Sequence, residues 1–132
     1  MYKLSQLAKA CCASLVFFSV SSLSSTIFEA DKFFENKQYD YAKRAYSDSA
    51  RLGSPHAFYQ LGAIYLNGLG VTKDPVSAYI WLSMAAEYKF NDAVKASKDV
   101  FNAMSPAQQN QGQTLLSLLK KNLGKEAVTQ EY

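Results

Sequence analysis

From Thr26 onward the apolar residues recur at intervals of three and four, and this regularity constrains the fold more than any other feature. Ile27, Ala30, Phe33 and Phe34 mark one short face; Tyr39, Ala42, Ala45, Tyr46, Ser49 and Ala50 mark the next. Ala57, Phe58, Leu61, Ile64 and Tyr65 form a third, and Val76, Tyr79, Ile80, Leu82, Met84 and Ala85 a fourth, with Trp81 beside them. Ala93, Val94, Ala96, Val100, Phe101 and Met104 follow, and then Leu115, Leu116, Leu118, Leu119 and Leu123. A helix turns once in about 3.6 residues, so this spacing gathers each set into one stripe, whereas a half-buried strand would alternate at two. No segment reads as a strand, and the fold class is all-α.

The breaks between the stripes carry the chemistry of helix ends. Asn36-Lys37-Gln38 separates the first two helices. Gly53 closes the second, and Ser54-Pro55 opens the third: serine caps the first free N–H groups, and proline lacks an N–H where none is needed. Asn67-Gly68-Leu69-Gly70 stops the third helix, Asp74-Pro75 opens the fourth, Ser105-Pro106 opens the sixth, and Gly124 follows its end. The pattern predicts helices over 26–36, 39–52, 55–67, 75–89, 91–103 and 106–123. The short connections imply antiparallel neighbours.

The helices also repeat. A shift of 36 residues carries Ala42 to Ala78, Tyr46 to Leu82, Ala50 to Ala86 and Ala57 to Ala93. Such a period indicates stacked helical hairpins, because one hairpin cannot bury its apolar face alone. Alanine at the repeated positions lets helices approach closely, and larger neighbours fill the gaps. About three hairpins result, an α-α superhelix.

The chain of 132 residues is long enough for one core, and 48% hydrophobic against 19% charged residues indicates a folded chain rather than a disordered one. Residues 1–24 read as a signal peptide. Lys3 and Lys9 flank a start without acids, Ala10 to Val20 is uncharged and apolar, and Ser21 to Ser25 is small and polar apart from Leu23. Ser22 and Ser24 suit cleavage just after Ser24. The run falls short of the roughly 20 apolar residues of a transmembrane helix, although an uncleaved N-terminal anchor stays open. The expectation is an exported protein, periplasmic or secreted, with no integral membrane domain after cleavage. Cys11 and Cys12, the only cysteines, lie in this segment, and Lys9 together with an apolar run that follows the cysteines argues against lipidation. The mature chain then has no disulfide and is held by packing alone. Without Lys3 and Lys9, twelve basic residues face eleven acidic ones, a net charge of +1. That balance lacks the clustered cations of a nucleic-acid surface; the adjacent pair Lys120-Lys121 reads as a solvated helix end.

The residues of chemistry are sparse. His56 is the one histidine, and a zinc site built on His or Cys needs several such ligands. Asp31 and Glu35 share a helical face, but Lys32 and Lys37 nearby make it read as surface. Gly68-x-Gly70 has no following GK[ST] and no preceding strand, so it is no phosphate loop. No nucleophile elbow is present. No cofactor, metal or catalytic group is expected.

Phe58-x-x-Leu61-Gly62-x-x-Tyr65 resembles the first helix of a tetratricopeptide repeat. Asn67-Gly68-Leu69-Gly70-Val71-Thr72-Lys73-Asp74, then Ala78-x-x-Trp81 and Ala85-Ala86, resembles the more specific Sel-one-like repeat, with its longer GxGV…D loop. The strong match covers 54–93 within a helical repeat domain of 26–123, followed by a tail, 124–132. In mechanical terms, Gly62 permits close helix packing, Gly68 and Gly70 permit positive φ, Val71 plugs the loop onto the core, and Asp74 caps the fourth helix. The resemblance implies a non-enzymatic module that binds another protein or peptide on the concave face of its hairpins. It places groove positions at Phe34 and Glu35 in the first hairpin and at His56, Tyr59, Ala63, Leu66 and Asn67 in the second. Tyr59 is the expected anchor, since aromatic residues with a polar tip dominate interface hot spots; packing of Tyr59 and Phe34 between hairpins is the alternative. An interaction domain belonging to or derived from a larger envelope protein, an envelope hydrolase, and a structural protein that self-associates are the other readings.

Overall fold

The structure, a computed structural model, describes residues 25–129, with side chains to residue 122. The signal segment and both cysteines lie outside the described residues. Six helices and no strand appear among them: α1 (25–35), α2 (Tyr39–Arg51), α3 (Pro55–Asn67), α4 (Pro75–Glu87), α5 (Ala93–Ala103) and α6 (Pro106–Thr129).

The end signals act as the sequence implies. Ala57 N–H donates to Ser54 Oγ at 3.3 Å. Val76 and Ser77 N–H donate to Asp74 Oδ1 at 3.1 and 3.2 Å, so one carboxylate satisfies two free donors of α4. Ser105 and Gln108 cap α6 reciprocally: Gln108 N–H donates to Ser105 Oγ, and Ser105 N–H donates to Gln108 Oε1. Gly68 closes α3 at φ 66°, and its N–H and that of Leu69 both donate to Ile64 O. A residue with a Cβ resists this left-handed conformation. The loop then returns to α3 through Asp74 N–H on Tyr65 O at 3.0 Å, and half-buried Val71 packs on the core.

Three helix limits differ from the expected ones by two residues or more. α4 ends at Glu87 instead of 89, because Lys89 turns left-handed at φ 51° and Phe90 N–H folds back onto Ala85 O, directing the Phe90 ring to the core. α5 starts at Ala93, as Asn91 is left-handed at φ 45°. α6 runs through Gly124 to Thr129. One glycine costs a helix only about 1 kcal/mol, which neighbouring helix formers offset. Lys120-Lys121 therefore lies within a helix, and Lys120 Nζ donates to Glu87 Oε1 at the end of α4.

Packing is closest between α3 and α4, where a Cβ on Gly62 would lie 2.7 Å from Leu82 Cγ. Ala42 and Ala78 are fully buried and Ala50 nearly so, as close helix approach requires; Ala86 is half-buried. The main core joins Ala30, Ala42, Tyr46, Phe58, Leu61, Ile64 and Ala85, and a smaller cluster joins Ala78, Leu82 and Val100. α6 takes its main contact with α4 rather than with its chain neighbour α5. Gly112 makes this possible, since a Cβ there would lie 2.9 Å from the Tyr79 ring, while Leu116 and Leu119 reach the main core.

Candidate functional site

The candidate site lies where the first hairpin meets the second. The Ser54 cap and Pro55 fix the start of α3 and so place His56 at its second helical position. From there His56 Nε2 lies 2.8 Å from Asp31 Oδ1 on α1. Tyr46, fully buried on α2, donates its hydroxyl to the same oxygen at 2.5 Å. An ionised carboxylate only accepts, so the contact requires a proton on Nε2. One carboxylate thereby ties three helices together. Burial, then the hydrogen bond to Asp31, then the charges of Asp31 and Glu35, push the Tyr46 hydroxyl far above its ordinary pKa and keep it neutral.

A row of rings runs through this junction. Phe34 meets Tyr46 edge-on at 6.3 Å between centroids, and Tyr46 meets His56 at 6.0 Å. His56 meets Phe90 at 5.8 Å, and Phe90 meets Tyr59 at 5.8 Å. These separations and tilts are those of favourable aromatic pairs. Phe34, Tyr59 and Phe90 are half-buried: each packs on the core and keeps part of its surface exposed.

The structure thus brings Phe34, His56 and Tyr59 into one row. Glu35 is exposed at the end of α1, one turn beyond Asp31. Ala63 continues the α3 face half-buried; Leu66, 40% exposed, and Asn67, whose side chain donates to Ala63 O, lie at the far end of α3. At about 1.5 Å rise per residue they sit roughly 15 Å from His56, outside the row. Asp31 corrects the sequence reading, for it is no simple surface group: its side chain is 37% exposed and holds two hydrogen bonds. Tyr46 and Phe90 were likewise missing from the expected site. Asp31 was detectable, being one helical turn from both Phe34 and Glu35. Phe90 was not, because its position depends on the turn after α4.

Elsewhere, a cavity of about 310 Å³ opens between α4, α5 and α6, with Tyr79, Ser97, Lys98 and Asn102 in its lining. A second, of about 180 Å³, lies between Phe58, Trp81 and Leu119. Among the described residues, no three of His, Cys, Asp and Glu gather to hold a metal ion, and no helix is long and apolar enough to cross a membrane.

Consecutive packed helices, a repeated alanine framework and an aromatic inner junction define a protein of the α-α superhelical repeat class. Within that class, residues 55–87, the span of α3, its loop and α4, match the Sel1 repeat. Sel1 repeats are non-catalytic protein-interaction repeats. Comparison with curated proteins returned no match.

Proposed function

We propose that the protein is a non-enzymatic adaptor of the cell envelope or the secreted space, and that it binds a peptide or protein segment along the inner junction of its hairpins. The observation that carries this reading is the row Phe34, Tyr46, His56, Phe90 and Tyr59, part-exposed across two hairpins and held in place by Asp31. Rigid aromatic surface lowers the entropy cost of binding, since little side-chain freedom remains to be lost. The Sel1 match supports the protein-interaction role. Export rests on residues 1–24 alone.

Crosslinking in intact cells followed by mass spectrometry tests the proposal. A partner crosslinked to wild type is expected to be lost when Tyr59 and His56 are both replaced by alanine. An unchanged set of partners in a variant of native fold would remove the junction from the binding surface.

A further inference from the structure

The groups around the aromatic row share one chemical character. His56 Nε2 is engaged by Asp31 Oδ1 at 2.8 Å, so that nitrogen is not free for a ligand and instead holds the carboxylate in place. Asp31 retains exposed carboxylate surface, and Glu35 adds a second carboxylate one turn along the same helix. Acceptors and negative charge therefore lie beside the exposed parts of Phe34, Tyr59 and Phe90. Residues 25–35 carry three acids and one base, although the rest of the mature chain is basic on balance. Asp31 and Glu35 are four residues apart on α1 and so share one face of that helix.

We infer that the junction of α1 and α3 recognises a cationic side chain, arginine or lysine, of an extended partner segment. Asp31 and Glu35 supply the counter-charge, and the rings of Phe34, Tyr59 and Phe90 supply apolar and cation–π contact. A donor-only cation complements the two carboxylates, and an aromatic face beside them attracts the same charge. An acidic ligand meets two carboxylates there and is excluded. Asp31 serves twice, since its bonds to Tyr46 and His56 fix the carboxylate before a ligand arrives. The inference rests on the proposal that the junction binds a protein segment, and it adds the chemistry of that segment.

Selection of a random peptide library on the purified full chain, followed by anisotropy titration of the enriched peptides, tests it. Enriched sequences are expected to carry arginine or lysine next to apolar residues, and replacing that residue by glutamine should weaken binding about tenfold or more. Glu35→Gln, an exposed change that leaves the core intact, should weaken basic peptides several-fold, as should raising salt from about 50 to about 500 mM. Asp99→Asn, which removes an exposed carboxylate from α5, should change nothing. Peptides that need Tyr59 but carry no cation and ignore Glu35→Gln would overturn this inference and leave the adaptor proposal standing. Peptides indifferent to both Tyr59→Ala and Glu35→Gln, or no binders at all, would overturn both.

Discussion

Gly62 and Leu82 form the tightest point between α3 and α4, and both are buried, with Leu82 2% exposed. Gly62→Ala gains helix propensity of about 1 kcal/mol but must displace a side chain that has little room to move, a cost of about 1–3 kcal/mol. We expect a net loss of stability in urea unfolding. Coupling with Leu82→Ala should be non-additive, because the space opened by one change accommodates the other. Tyr46 poses a different balance. Tyr46→Phe removes a hydrogen bond to a charged acceptor and should cost about 1–2 kcal/mol at neutral pH. The folded pKa of Tyr46 lies above its unfolded value, so its contribution is complete below about pH 10. Above that pH the unfolded chain releases a proton that the folded chain keeps, and stability falls by about 1.4 kcal/mol per pH unit. The difference between wild type and Tyr46→Phe should therefore shrink as pH rises past 10 in chemical-denaturation series. The residue types at these positions were readable from periodicity, since Tyr46 and Leu82 fall on apolar stripes. Their partners were not, because Asp31 meets Tyr46 only after α1 folds across α2.

Helix starts were more legible than helix ends. Ser54, Asp74 and Ser105 act within three residues of themselves, so the sequence alone carries the whole interaction. Asp74→Ala should lower stability by about 0.5–2 kcal/mol in thermal or urea unfolding, with loss of two donors' acceptor at the start of α4. Asp74→Asn should recover most of that loss, because asparagine caps nearly as well. The end of α4 depends on where Phe90 can be buried, and that surface belongs to α3 and its neighbours. The end of α6 depends on a long helix lying across α4, where Leu116, Leu119 and the Lys120–Glu87 pair hold it. Gly124 was a sensible stop by local chemistry, but a single glycine is a weak break in a supported helix.

At the scale of the whole molecule, the first and second hairpins are joined by the shared carboxylate of Asp31 as well as by apolar packing. Export belongs to this scale too. The mass of the mature protein recovered from the envelope or medium should correspond to an N-terminus near Ser25, and a full-length protein retained in membranes would favour the anchored alternative. Sequence by itself determined the all-α class, the start of every capped helix, the hairpin repeat and the Sel1-like segment. Each rests on contacts between residues close in the chain or on a period that sums over many residues. The tertiary structure alone decided that α6 lies on α4, that α4 stops early to bury Phe90, and that the part-exposed Asp31 links three helices instead of standing as a lone surface acid. Those outcomes depend on which helix faces which across long stretches of chain, as with Asp31 and His56, 25 residues apart. A one-dimensional pattern records that a face is apolar, but not which partner fills it.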